Sequence, residues 1–315
     1  MIDLLPLARY RLEFKVKRPL HLPAYAGSTL RGAWGMALRS ASCITQRPDC
    51  TGCPMLHSTC PYAAIFEPRP PAGAATAPSL QDFSQIPRPY VIEPPALGER
   101  DYASGETLHF HLVLIGRALA HLPLILLAFV RAFEKGVGRG DGSATLQRVL
   151  HIGNTESTVL ASLHGQLAPH PQHIPKPDSQ TSQRVRLHFH SPLRLQTNGQ
   201  RASASEHTAR KLLMALVRRT ALLHEFHGSG PLALDFGELA QRAEGIASQT
   251  QLHWHETPRY SSRQQRGIDL GGVLGTWSLQ GELGPFLPYL HLGQWLHVGK
   301  EATFGLGGYH LQHQT

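Results

Sequence analysis

The sequence predicts an α+β protein made of two similar halves, and three observations carry that expectation. A strand motif recurs: RLEFKVKRPLHL at 11–22 and RLHFHSPLRL at 186–195 both open with Arg-Leu-x-Phe and close with Pro-Leu-x-Leu. A helical pattern follows each copy. Glycine-rich segments, GVGRGDG at 136–142 and VGKEATFGLGGYHL at 298–311, end the two halves.

Each element has a local reason. In both motif copies apolar and polar residues alternate, as in a strand with one buried face. GSTLRGAWGMALRSAS (27–42) sets Leu30, Trp34, Ala37 and Leu38 on one helical stripe, with Ser28 as the expected N-cap. TLHFHLVLIG (107–116) reads as a strand and LPLILLAFVRAFEKG (122–136) as a helix, with Pro123 tolerated in its first turn. In the second half EHTARKLLMALVRRTALLHEF (206–226) turns Leu212, Leu213, Leu216 and Leu223 inward and Arg210, Lys211, Arg218 and Arg219 outward. A short helix at 236–245, strands at 251–256 and 271–281, and a helix at 287–299 complete it. Strand–helix–strand–strand–helix–strand, twice over, is the order of two tandem ferredoxin-like domains. The expected division is 1–151, a polar linker over 152–183, and 184–315. A proline- and alanine-rich loop leaves the first half at 67–90.

Composition narrows the class. Of 315 residues 41% are hydrophobic, enough for a real core and too many for wholesale disorder. A formal charge of +8 favours polyanionic partners, since neutralising phosphates releases counterions. The 20 histidines are scattered and form no HExxH tract. The N-terminus lacks a cleavage pattern, and the longest apolar run, 118–130, falls short of the roughly 20 residues that span a bilayer. A buried helix in a cytoplasmic protein, with no membrane partner, is the expectation.

Four segments could carry chemistry. All four cysteines, Cys43, Cys50, Cys53 and Cys60, fall in a C-x6-C-x2-C-x6-C spacing that suits four thiolates around one metal, with His57 as a substitute ligand. Structural zinc is the preferred ion; an iron–sulfur cluster and free thiols are the alternatives. A closed four-ligand site has no position for substrate, so it would form a small metal-binding insertion without a catalytic role. At 298–309, Gly299, Gly305, Gly307 and Gly308 with Lys300 could bring amides and a charge to a phosphate, although the segment is neither a P-loop nor a dinucleotide fingerprint. WHETPRYSSRQQRG (254–267) gathers Arg259, Arg263, Arg266 and Gln264 around Tyr260, suited to RNA phosphates and a stacked base. In YAGSTLRGAWG (25–35) Arg31 sits early in a helix, where a cation opposes the dipole unless an anion binds there.

Together HLPAYAGSTLRGAWGMALR, the cysteine cluster running into CPYAAIFEP, RYSSRQ and LGQWLHVGKEATFGLGGY resemble the CRISPR-associated pre-crRNA-processing endoribonucleases of the RAMP superfamily, in the branch with a four-cysteine cluster after the first helix. The resemblance spans 11–311. It implies two RRM-like domains and RNA as partner: CRISPR repeat RNA, cleaved through its 2′-OH without a metal to leave a 2′,3′-cyclic phosphate. It also implies crRNA and other CRISPR effector subunits as companions. Members often place a histidine or tyrosine near the first helix; here Tyr25 and His21 precede it, Arg31 lies within it, and His297 comes from the far loop. These four are the catalytic candidates, and the helix itself holds no histidine. Glu301 stands where glycine is common and Gly308 where a basic residue often stands, which shifts phosphate grip towards Arg259 and Arg263. The alternatives are a non-catalytic RAMP subunit that only binds crRNA, and, less suited to a closed cysteine site, a zinc-dependent hydrolase.

Overall fold

The computed structural model describes residues 5–55, 59–68, 86–138, 142–175, 182–197, 200–202, 206–256, 258–261 and 266–314. The chain divides into two compact units, Leu4–Pro175 with Leu222–Gly230, and Lys176–Ala221 with Pro231–Thr315. Sequence periodicity placed Gly27–Ser42, Thr107–Ile115, Leu122–Lys135 and Gly272–Gln280 closely and gave no element for the strands Tyr90–Glu93, Ser143–Ile152, Glu156–Leu160 and Tyr309–Gln314. In the first unit β1 (Leu7–Arg18) and β2 (Leu20–Leu22) lead to α1 (Gly27–Ser42), the predicted bounds, and a short α2 (Pro61–Ile65). Then come β3 (Tyr90–Glu93), β4 (Arg100–Tyr102) and β5 (Thr107–Ile115). A 3-10 turn, Gly116–His121, runs into α3 (Leu122–Lys135), followed by β6 (Ser143–Ile152) and β7 (Glu156–Leu160).

The sheet order β3-β5-β1-β6-β7 is the antiparallel ferredoxin order with one strand added at the β6 edge. β1 is central because its alternation buries Tyr10, Leu12, Phe14 and Val16 on one face. Against that face Trp34 of α1 stacks on Phe129 of α3 at 5.2 Å, and Phe14 meets Phe133 at 4.2 Å. The turn and α3 together make Gly116–Lys135 long and apolar enough to cross a membrane, longer than the sequence suggested. Ile125, Leu126, Phe129 and Phe133 of that stretch are buried in this unit's core.

Two expectations need correcting. The stretch 152–175 is not a bare linker: β7 pairs with β6, the Leu7 amide donates to the Gln172 carbonyl at 2.9 Å, and Tyr10 Oη bonds His170 Nε2 at 2.7 Å. Its polar, proline-rich composition hides this because β7 is an edge strand with three exposed positions. Ser28 is not the N-cap either. Ala26 holds that place without a side-chain bond, and Ser28 is buried inside the helix.

The second unit repeats the plan. β8 (Arg184–Leu193) is followed by the β9–β10 ribbon (Gln196–Thr197, Gln200–Arg201), α4 (Ala209–His227), whose end from Leu222 on belongs to the first unit, and α5 (Phe236–Glu244). Next come β11 (Ala247–His255), a β12–β13 hairpin (Pro258–Ser261, Arg266–Asp269) and β14 (Gly272–Gln280). α6 (Leu287–Leu296) and β15 (Tyr309–Gln314) close the chain. The order β11-β14-β8-β15 again has the first strand inside. Leu187, Phe189, Trp277, Leu279 and Tyr309 face a core shared with Leu212, Leu213 and Leu216 of α4 and Leu290 of α6. The chain is thus two tandem ferredoxin-like folds.

Candidate nucleic-acid interface

The two sheets carry the same fold with different charge patterns on their open faces. On the first, Arg9, Arg11 and Glu13 of β1, opposite the core, are held in ion pairs, while Lys15 and Lys17 further along the strand are exposed. Arg9 Nη2 lies 2.7 Å from Glu93, Arg11 pairs with Glu13 at 2.9 Å and with Glu156 at 2.9 Å, and Arg148 Nε lies 2.5 Å from Glu13. Burial would raise the Glu13 carboxyl, but the Arg148 and Arg11 guanidinium groups more than offset it and hold the group below its usual value.

The second sheet is different. The strands RVRLHFHSPL, ASQTQLHWH, GVLGTWSLQ and YHLQHQ contain no aspartate or glutamate. Arg184, Arg186, His188 and His190 are exposed along β8, with Gln312 and His310 of β15 and Ser278 and Thr276 of β14 as cross-strand neighbours. The His190 and His310 rings approach to 4.7 Å. A face with guanidinium groups, imidazoles, amides and hydroxyls but no carboxylate suits phosphates and bases. The expected site did not include these residues. Their signal was legible: the period-2 spacing of Arg184, Arg186, His188 and His190 and the missing acids.

The glycine-rich loop lies at one end of this face and is a latch before it is a cradle. Its amides bond inward: Val298 to the Gly307 carbonyl at 3.1 Å, Lys300 to Arg194 at 2.8 Å, Gly307 to Pro192 at 2.9 Å, and Gly308 to Ser191 Oγ at 2.8 Å. The same Ser191 hydroxyl donates to the Gly305 carbonyl at 2.7 Å. Gly307 has φ +70°, and a Cβ there would lie 1.8 Å from the Val298 carbonyl oxygen; at Gly299, φ +89°, it would lie 2.5 Å from that of Arg194. Glycine is therefore required by backbone packing at both positions. Gly305 and Gly307 are buried, which removes them as surface phosphate contacts, while Lys300 is exposed and Gly299 half-buried.

His297 is 1% exposed, with φ +57°, and its Nδ1 bonds the Leu306 carbonyl at 3.2 Å, so it braces the latch from inside. Arg219, expected outside, is corrected likewise. It donates to the Leu296 carbonyl at 2.8 Å, and burial pushes its guanidinium down to about 10. Arg259 lies on β12 of the hairpin, where the backbone alone is described; Arg263 and Gln264 lie outside the described residues.

The remaining candidates belong to the first unit. Tyr25 is buried, and desolvation, reinforced by the Glu93 charge, pushes its hydroxyl well above the usual value. It keeps its proton at neutral pH and is a poor base. Arg31, one turn into α1, donates from Nε to Tyr90 Oη at 2.9 Å and lies 4.1 Å over the Phe66 ring, so its fork is held in place. The first turn of α1 carries no acid. His21, on β2, bonds Asp101 Oδ1 through Nδ1 at 2.6 Å; its Nε2 is buried and has no hydrogen-bond partner among the described residues. A carboxylate on Nδ1 leaves Nε2 as the lone-pair nitrogen, the arrangement of an oriented base. Asp101, a member of this pair, had no sequence signal, because it sits 80 residues away on β4.

The cysteines form a separate site in the same unit. Cys43, Cys50, Cys53 and Cys60 are free thiols, each half-buried, and all line one pocket. His57 lies outside the described residues. Among the described residues no three His, Cys, Asp or Glu are gathered tightly enough to hold a metal as they stand.

Comparison with known proteins agrees with this architecture. The AF_1859_N family model, an N-terminal domain, matches residues 5–172, and the model for the CRISPR-associated endoribonuclease Cas6 matches residues 187–309. No curated protein sequence matches the chain. Among solved structures a Cas6 product complex is similar over 97% of this chain and 100% of its own, with TM-score 0.58 at 17% identity. Thermus thermophilus Cas6 is similar over 98% and 99%, with TM-score 0.53 at 17% identity. A partial Cas6-RT-Cas1–Cas2 complex matches all of this chain over 47% of its own, with TM-score 0.54 at 15% identity. At such identities these structures speak for the fold. The chain belongs to the family of the AF_1859_N model, which matches more than half of it, and its second unit matches the CRISPR-associated endoribonuclease Cas6 model.

Proposed function

We propose that the chain binds CRISPR repeat RNA in the cytoplasm and cuts pre-crRNA to crRNA through the 2′-OH, with no metal in the chemistry. The observation that carries this is the carboxylate-free open face of β8, β11, β14 and β15, running to the exposed Lys300; β11, β14 and Lys300 fall within the stretch matched by the Cas6 model. Such a face grips phosphates through counterion release. His21, its ring held by Asp101, takes the 2′-OH proton on Nε2, a buried atom that the bound RNA must first uncover. The 2′-oxygen bonds to phosphorus, the bond to the 5′-oxygen breaks, and that oxygen takes a proton, leaving a 2′,3′-cyclic phosphate and a 5′-hydroxyl. Arg31, pre-set on Tyr90 and Phe66, supplies positive charge for the phosphorane. Product crRNA and other CRISPR subunits are the partners that fit, in keeping with the partial Cas6-RT-Cas1–Cas2 complex among the similar structures.

The lack of any histidine on α1 favours a second reading, a RAMP subunit that binds crRNA in an effector complex without cutting it. One experiment separates them. Labelled repeat RNA is incubated with the protein in EDTA, beside RNA with a single 2′-deoxy at the cut site. Cleavage of the first alone, with a cyclic phosphate end, is expected. Tight binding with both RNAs intact would leave only the second reading.

A further inference from the structure

The segment between α1 and α2 is fixed at both ends yet has little to hold its middle. No helix or strand occurs among its described residues between Cys43 and Cys60. Cys43 is the C-cap of α1, its amide donating to the Arg39 carbonyl at 2.8 Å. Cys60 is the N-cap of α2, its carbonyl accepting from the Ala64 amide at 3.0 Å. Between them Cys50 and Cys53 bracket a turn closed by the Cys53 amide on the Cys50 carbonyl at 3.3 Å and by Thr51 on the Asp49 carboxylate at 2.7 Å.

Two sulfurs from different parts of the segment already converge. The Thr45 hydroxyl oxygen lies 3.7 Å from both Cys43 Sγ and Cys53 Sγ. Cys50 and Cys60 line the same pocket and pack against the core. Arg39 lines it too, donating to the carbonyls of Pro48 and Arg47.

We propose that this pocket is a structural zinc site held by the thiolates of Cys43, Cys50, Cys53 and Cys60. Four thiolates in a closed tetrahedron are the donor set that zinc takes in structural sites. Among the described residues the sulfurs are not yet gathered tightly enough to hold an ion, so the segment tightens as zinc enters and forms Zn–S bonds of about 2.3 Å. Each thiol gives its proton to solvent as its bond to zinc forms. The resulting net negative charge lies beside the Arg39 guanidinium.

The consequence reaches the first unit's RNA candidates. Zinc ties the end of α1 to the start of α2, and α2 delivers Phe66, whose ring lies 4.1 Å under Arg31 and 5.6 Å from Trp34. The ion thereby positions the platform of Arg31 without touching RNA.

The test uses the full chain, purified reduced and without chelators or metal resins. Metal analysis should find about one zinc per chain, no iron and no acid-labile sulfide. The double variant Cys50→Ser, Cys53→Ser should lose at least nine tenths of it. Because that variant could misfold, the wild-type chain is also stripped by chelator under reducing conditions. Its Tm should fall by several degrees and return with added zinc, and cobalt should give the absorption bands of a tetrahedral thiolate site. A folded chain with four titratable thiols and no zinc uptake would overturn the proposal. So would iron with labile sulfide, or zinc retained after both cysteines are replaced. RNA cleavage by the same preparation is scored separately, so failure of the zinc site and failure of the nuclease proposal are distinguishable.

Discussion

Replacing Gly307 with alanine distinguishes a latch from a phosphate cradle. The residue has φ +70°, and a Cβ would stand 1.8 Å from the Val298 carbonyl oxygen, a backbone atom that can retreat only by opening the loop. The left-handed conformation costs a non-glycine residue about 1 kcal/mol. Opening the loop puts at risk the bonds from Val298 to Gly307 (3.1 Å) and from Gly307 to Pro192 (2.9 Å), at about 1 kcal/mol each. The expected loss is about 3 kcal/mol, a large share of a typical domain's stability. Urea denaturation followed by circular dichroism measures it, with Gly284→Ala as control, since a Cβ there meets nothing within 4 Å. Lys300→Ala should behave oppositely. Stability stays within about 0.5 kcal/mol, while affinity for single-stranded repeat RNA drops and the log–log salt slope falls by about 0.7. If Gly307→Ala keeps wild-type stability and loses RNA affinity, the loop amides contact phosphate and the latch assignment is wrong.

Two further outcomes follow from the first unit. Asp101→Asn should release the His21 tautomer and slow single-turnover cleavage by at least about 100-fold, with RNA affinity unchanged; an unaltered pH–rate profile would remove His21 as base. Burial, first among the causes, pushes His227 and His111 down to about 4. Both therefore stay neutral in the fold while the unfolded chain takes up protons below its ordinary value near 6.5. The stability they contribute is fully present above that value and is lost as pH falls through about 4, by up to about 3 kcal/mol each. His227→Gln, which keeps an N–H donor for the Pro87 carbonyl, should flatten the fall in urea midpoint between those pH values. An equally steep fall in the variant would contradict the assignment.

Periodic residues were the legible part of this chain. The two Arg-Leu-x-Phe strands became β1 and β8, the inner strands of their sheets, because alternation reports a half-buried face directly. α1 matched its predicted bounds because three large apolar residues share one stripe. Isolated residues gave no comparable signal. Tyr25 stands alone before a helix, and only the packing around it reveals that it is in the core. The pairing of His21 with Asp101 depends on β2 meeting β4, a contact between two three-residue strands. The glycines of the C-terminal loop were visible, yet a glycine needed for close backbone packing and one needed to approach a phosphate look alike until amide partners are known.

That ambiguity bears on how the duplicated fold divides its work. Both sheets share one four-strand order, to which the first adds β7, and both set their first strand inside. On β1 the outward arginines meet Glu93, Glu13 and Glu156, so their charge is spent within the first unit. On β8 the outward positions carry Arg184 and Arg186 with no carboxylate anywhere in the four strands, so that charge remains available to a polyanion. Surface ion pairs contribute little stability, so the lattice on β1 does little to hold that sheet together. Its larger effect is electrostatic: it neutralises Arg9 and Arg11, while Arg184 and Arg186 on β8 have no carboxylate in their sheet. Strand order and core packing are then common to both halves, while the difference in charge between the open faces rests on a few side chains whose exchange would leave the cores untouched.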